Sequence, residues 1–338
     1  MNKSRMKYTL SSFLVLVFIG LQAQYAPAPP SELTTAIHKD SSVIVNWAKS
    51  CVVQRGFIDA NRPSKTYTFQ DSTSNRAFFG VDSNAVGKSF GPGDVVSLGD
   101  LGKAILSFNP PIVNGPGYDF VVFENGFKLS GENNFYLELA RVGVIVNPND
   151  SAVYFSTYSE TPFDQQLSDA EGINPEFIHG LAGKYPYPYG TPFDLSDLAI
   201  SIPEGASISG IVIQDVGGMI SSDLVTKDLL GRPINDPYPT AYHTGGFDLM
   251  AVGVINQALP DAVDVNIYPN PVDANGTVFF GEQVETVCLY SLSGELIAKG
   301  QNVDRLKLTG LQQGLYLLNL EDGAMSKALK LSVNALDH

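Results

Sequence analysis

Sulfur, cationic charge and long apolar runs are what this sequence has least of. Its 338 residues include two cysteines, Cys51 and Cys288. Two thiols cannot build a Cys-rich metal cage, and because they fall in what read as different domains no disulfide between them is expected. Lys and Arg number 21 against 35 Asp and Glu, a net charge of −14. No basic cluster is present to meet phosphates, so nucleic acid is excluded as a partner. Cationic ligands and divalent metals are favoured instead. The four histidines show no H-E-x-x-H or other metal-pair spacing. Long amphipathic helices are missing, and beyond the first 24 residues no stretch approaches the roughly 20 apolar residues of a membrane span, so the mature chain is expected to have no transmembrane segment.

What is present begins with an export signal. Residues 1–24 run from Lys3, Arg5 and Lys7 through LSSFLVLVFIGL to Gln22-Ala23-Gln24, the pattern of a secretory signal peptide. No Cys lies at its exit for lipid attachment. Residues 25–42 open with YAPAPP, a proline-rich leader that forms neither helix nor central strand. From 43 to 258, apolar β-branched runs recur between Gly, Pro, Asn and Asp: VIVNW from Val43, AFFGV from Ala77, YDFVVF from Tyr118, FDLMAVGVI from Phe247. This density of short strands predicts an all-β main domain, a jelly roll or two-sheet β-sandwich. Within it, Thr161 to Asp164 and Thr191 to Asp194 both read Thr-Pro-Phe-Asp, each a predicted one-turn helix with a Thr cap and Pro at the first position. Between them KYPYPYG favours an extended polyproline segment that displays its rings. After QALPDAVD the pattern restarts, and 259–338 predicts a second all-β domain of about six short strands turned at Asn270-Pro271, Asn275-Gly276, Ser293-Gly294 and Asp322-Gly323.

The second domain carries VNIYPNPVDANGTVFF, VCLYSLSGELI, LKLTGLQQGLYLLNLE and a closing KALKLSV. These resemble the type A C-terminal sorting domain of the type IX secretion system. The matching positions are the box Tyr268, Pro269, Asn270, Pro271, the strand start Gly314 to Tyr316, and the terminal Lys327 and Lys330 with Leu331 and Val333. The resemblance implies a small immunoglobulin-like β-sandwich, the type IX secretion machinery as partner, and delivery to the medium or the outer surface of a Gram-negative bacterium. It also implies removal of the sorting domain. NALDH after the last strand departs from the family, which usually ends close to it. The main domain is similar to a family of secreted and cell-surface proteins of unknown activity with a galactose-binding-like jelly roll. It shares VSLGDLGKAILSF, PPIVNGPGYDFVVFENGF, TPFDLSDLA, NDPYPT and TGGFDLMAVGVIN with them. Related proteins can be encoded beside corrinoid uptake systems, so the resemblance implies corrinoid capture as one accessory role.

Two candidate sites follow from the residues. Asp119, Glu124 and Asp248 lie at strand ends, with Asp215 and Asp236 as neighbours, and hard oxygen ligands of this kind suit a structural Ca²⁺. Tyr185, Tyr187, Tyr189, Tyr238 and Tyr242 alternate with prolines in two loops and could stack on a glycan or other small ligand. The expectation is a non-enzymatic exported binder. The rival is a secreted hydrolase with a carboxylate pair among Asp119, Glu124, Asp215, Asp236 and Asp248, since such a pair leaves no mark in sequence spacing. Gly87 to Gly91 fits G-x-S-x-G around Ser89, but the following Pro92-Gly93 forbids the helix that a nucleophile elbow needs.

Overall fold

The computed structural model describes residues 25–168, 170–258, 266–322 and 325–334. The expected signal peptide, the joint at Leu259 and the tail after Asn334 lie outside the described residues. The chain divides into two compact units, Met1–Gln257 and Ala258–His338.

Twelve short strands build the two main sheets of the larger unit, beside three two-stranded ribbons: β1 (Ile37–His38), β2 (Asn46–Trp47), β3 (Ser50–Gln54), β4 (Val96–Ser97), β5 (Lys103–Ser107), β6 (Phe120–Glu124), β7 (Ala140–Ile145), β8 (Val153–Tyr154), β9 (Leu181–Ala182), β10 (Tyr189–Phe193), β11 (Gly210–Asp215) and β12 (Asp248–Val254). One antiparallel sheet has the order β1-β10-β6-β12-β2, with β4 also on β12. The other has the order β8-β7-β11-β5-β3, with β9 also on β7. Side chains alternate across a strand, and the inward sets meet in one core: Phe120 and Val122 of β6 with Leu249 and Val252 of β12, facing Ala104, Leu106, Val142, Val144, Ile211 and Ile213. A bulge between Leu249 and Ala251 shifts the phase of β12. Phe120 stacks on Phe193 at 5.4 Å between ring centroids, and burying each such ring contributes about 1.5–3 kcal/mol. Three one-turn 3₁₀ segments are the only helical elements among the described residues. The unit is the all-β sandwich that its strand density predicts.

Local readings fare less evenly. The second Thr-Pro-Phe-Asp is not a helix start: Thr191 to Phe193 lie in β10, and Asp194 is the cap, accepting from the Ser196 amide at 2.9 Å. Pairing of β10 with β6 outbids capping by Thr, because it buries Phe193 in the core. Nor does the first copy form a helix. Of Ala77 to Val81 no residue joins a strand, since Gly80 turns the chain at φ +66.

The smaller unit is a five-stranded sheet made of β13 (Val272–Asp273), β14 (Thr277–Ser291), β15 (Leu296–Lys307), β16 (Gly314–Asp322) and β17 (Met325–Asn334), ordered β13-β17-β16-β14-β15. The domain has five strands rather than about six, because TVFF and ETVCLYS run on as the single strand β14. Its register with β15 breaks between Phe279 and Val284, the kind of bend by which one strand serves two layers. The buried apolar set of this unit includes Val278, Phe280, Val287, Leu289, Leu318 and Leu331. Both ends of the sorting signature meet here. Asn270 Nδ2 donates to the Lys330 carbonyl at 2.9 Å, and its Oδ1 accepts from the Ser332 amide at 2.9 Å. Val272 pairs in parallel with Val333. Tyr268 stacks on Phe279 at 5.7 Å, and Tyr316 donates to the Gln312 carbonyl at 2.9 Å. The Asn270 amide thus acts as a strand partner for the last strand. Asn270→Ala is expected to remove both bonds and cost the smaller unit about 1–3 kcal/mol, read as a lower denaturant midpoint for that unit; an unchanged midpoint would refute the role.

Candidate functional site

A cavity of about 400 Å³ opens in the larger unit where the leader crosses the long connection. Its wall includes Tyr25, Tyr158, His179, Lys184, Thr191 and Asp197. The Tyr25 amide donates to the Glu176 carbonyl at 2.9 Å, and its ring stacks on His179 at 5.1 Å. Tyr158 and His179 face each other across a two-residue ribbon. Gly183 turns the chain at φ +79 between β9 and Lys184, so close to the Glu138 carbonyl that a Cβ would lie 1.9 Å from it; only glycine fits.

Lys184 is 4% exposed. Its Nζ donates to the Ile178 carbonyl at 2.7 Å, while the rings of Tyr185 and Tyr25 lie 5.4 and 5.7 Å away. An ammonium carries three donors; one protein acceptor uses one of them. Burial pulls the Lys184 pKa down to about 8, opposed by Glu176, so the cation persists at neutral pH. Burial, then the neighbouring Lys184 charge, push the His179 pKa below its usual value and keep that ring neutral. Thr191 Oγ1 is buried without a hydrogen-bond partner. The arrangement offers a cation, a free hydroxyl, a carboxylate acceptor and ring faces. A neighbouring cavity of about 470 Å³, beside Asn133, Gln166 and Asn174, has an unpartnered hydroxyl at Thr161 but no buried charge.

None of the five tyrosines singled out in the sequence lines the 400 Å³ cavity. Tyr185 is 1% exposed, with its hydroxyl against Thr35 Oγ1 at 2.8 Å; KYPYPYG is largely buried rather than a displayed rod. Tyr187 and Tyr189 pack half-buried against core residues. Tyr238 donates to Asp59 Oδ1 at 2.7 Å, and Tyr242 meets the Tyr67 ring edge-on at 5.9 Å. These rings belong to separate places. The leader tyrosine that does reach the cavity was visible only as part of YAPAPP.

The strand-end acids also separate. Asp119 and Glu124 are five extended residues apart, on the order of 16 Å, at opposite ends of β6. Asp119 fastens loops at its end, accepting from the amides of Gly115 at 2.8 Å and Leu195 at 2.7 Å and from Asn256 Nδ2 at 2.9 Å. Glu124 and Asp248 stand on the paired ends of β6 and β12, where their charges repel. The three therefore do not share one ion. Among the described residues, no three Asp, Glu, His or Cys side chains group closely enough to hold a metal between them. Asp119, Glu124, Asp215, Asp236 and Asp248 are all buried, and none lines the cavities described above. Ser89 is buried too, with Oγ donating to the Gly91 carbonyl at 3.1 Å.

Comparison with known proteins assigns the end of the chain. Residues 266–334 match the family described as "Secretion system C-terminal sorting domain". Among curated proteins none matches. Among solved structures, PorZ of Porphyromonas gingivalis, described as an essential bacterial surface component of the type-IX secretion system, is similar over 25% of this chain and 14% of its own, with 19% identity and a TM-score of 0.20. The sorting domain makes this a secreted or cell-surface protein. No helix among the described residues is long and apolar enough to cross a membrane.

Proposed function

We propose that this chain, delivered outside the cell through its type IX sorting domain, is a non-enzymatic binding module whose larger unit takes an acidic saccharide in the Lys184 cavity. One observation carries the reading: a buried ammonium with unused donors beside an unpartnered Thr191 hydroxyl. Buried polar groups are ordinarily satisfied, and a ligand carboxylate with neighbouring hydroxyls would satisfy both. Tyr25 and Tyr158 offer faces for a sugar ring, and Asp197 offers an acceptor for its hydroxyls. A volume of about 400 Å³ is at the small end for ligand pockets. It suits one or two sugar rings better than a corrinoid macrocycle. The hydrolase reading has less to support it, because its candidate carboxylates are buried away from this cavity.

The test is a glycan array of neutral and uronic- or sialic-acid saccharides, probed with the full exported chain and with Lys184→Met. Binding confined to acidic glycans is expected. The variant should bind about 10- to 100-fold more weakly, the loss of one charge-assisted hydrogen bond of about 1.5–3 kcal/mol. Affinity should also fall as pH rises through about 8, where Lys184 loses its proton. Equal binding by parent and variant would refute the assignment.

A further inference from the structure

The floor of the larger unit's core is built of acids. On β6 the inward series Phe120, Val122 continues to Glu124; on β7 the series Val144, Val142, Ala140 runs back to Glu138; on β11 Ile211, Ile213 continues to Asp215. The two sheets bring these ends into one region, where Glu138 is repelled by Glu124, Asp236 and Asp215. Asp215 opposes Ala140, Glu124 opposes Leu249, and the Phe247 amide bridges the sheets by donating to Asp215 Oδ1 at 2.7 Å. Asp236 joins from the loop before β12, its Oδ1 accepting from the Leu139 amide at 2.9 Å. Glu124, Glu138, Asp215 and Asp236 are each at most 5% exposed.

Among the described residues none of the four makes an ion pair. The guanidinium of Arg55, which acts on Asp248, already donates to the carbonyls of Phe79, Gly80 and Ser97. Asp215 has both oxygens on amides, from Phe247 and from Leu101 at 2.8 Å. Glu124 does not: Oε2 accepts from the Gly126 amide at 2.7 Å, but Oε1 is buried with no partner at all. The Glu138 carboxylate has one long contact, from the Tyr136 hydroxyl at 3.4 Å. Burial, then mutual repulsion with Asp248 and the other acids, pushes the Glu138 carboxyl well above its usual range. Four like charges cannot stay unpaired in such a place.

We propose that this floor is a site for a divalent, oxygen-preferring cation of the Ca²⁺ class, held by Glu124 and Glu138, with amide-anchored Asp215 and Asp236 supplying the surrounding negative field. All four side chains offer oxygen only, which excludes the nitrogen and sulfur cages of Zn²⁺. Since no three acidic side chains converge on one point, the rest of the shell is carbonyl and water. Ca²⁺ accepts that mixture with six to eight ligands in flexible geometry, whereas Mg²⁺ demands a near-octahedral shell and gives up water reluctantly.

The test is thermal unfolding of the full chain at neutral pH in EDTA, Ca²⁺ or Mg²⁺, with Glu124→Gln, Glu138→Gln and calorimetric titration of Ca²⁺. Ca²⁺ should raise the midpoint of the larger unit progressively with concentration, as binding to the native state alone requires, and Mg²⁺ should raise it less. Either Gln variant should lose the Ca²⁺ shift while unfolding in EDTA no earlier than the parent, because Gln fills the space without the charge. No shift of the parent at millimolar Ca²⁺ would overturn the site. A shift that survives in both variants would overturn its ligands.

Discussion

A chain lacking residues 266–334 is expected to accumulate in the periplasm and to vanish from the medium and the outer surface. The apolar clusters of the larger unit contain no residue beyond Ile255, and both cysteines are unpaired, so the truncation leaves that unit's core complete. What it removes is a separate sheet with its own core and the sorting signature it carries. Export to the periplasm depends on the expected signal at 1–24, which the truncation spares. Fractionation followed by immunoblotting separates the outcomes, and protease resistance of the retained fragment would show that it is folded. Truncated protein outside the cell at the parent's level would refute the sorting assignment. Asn270→Ala should give a partial version of the same defect, because it loosens the last strand without removing it.

Fold class was legible because it is written locally. Runs such as FVVFE and GIVIQD are bounded by turn residues, and each became a strand. The sorting signature was legible for a related reason: its first half is a short contiguous box whose Asn270 side chain supplies both bonds to the backbone of the last strand. The floor of acids was only half legible. Glu124 and Asp248 sit at visible strand ends, but Glu138 joins them through the register of β7 on β11, a relation between residues 75 positions apart at Ala140 and Asp215. Asp119 looked equivalent to Glu124 because sequence proximity does not tell one end of a strand from the other. The tyrosines of KYPYPYG looked alike, yet the Tyr185 hydroxyl finds Thr35 and can be buried while Tyr187 stays half exposed. Lys184 carries no mark in the sequence, since nothing local tells a buried lysine from a solvated one.

With divalent cations removed, the larger unit is expected to be most stable in mild acid and to weaken as pH rises. Burial pushes the carboxyl of Asp100 to about 6, against one amide bond from Ala60 and with added repulsion from Asp59. It likewise pushes Asp248 to about 6, against hydrogen bonds from Ser97 and Asn125 and the charge of Arg55. Asp215, Asp236, Glu124 and Glu138 face the same region and are raised further, burial again being the largest cause. The sign follows from proton binding. A carboxyl raised by folding holds its proton more tightly in the native state, so its stabilisation is complete below the unfolded value near 3.8 and is lost as pH rises through about 6. Asp100 and Asp248 would each account for about 3 kcal/mol across that window. Asp59 and Asp228 act oppositely. Burial works against their charge, but hydrogen bonds from Tyr238 and Arg62 to Asp59, and from Arg232 to Asp228, lower both values, so their contribution fails as pH drops below about 4. The two trends leave a maximum near pH 4, where denaturant midpoints measured in EDTA should peak before descending through pH 6. Asp100→Asn removes one titrating group and should flatten the descent from that maximum by about 3 kcal/mol; stability that climbs steadily from pH 5 to pH 8 would contradict the buried acids altogether.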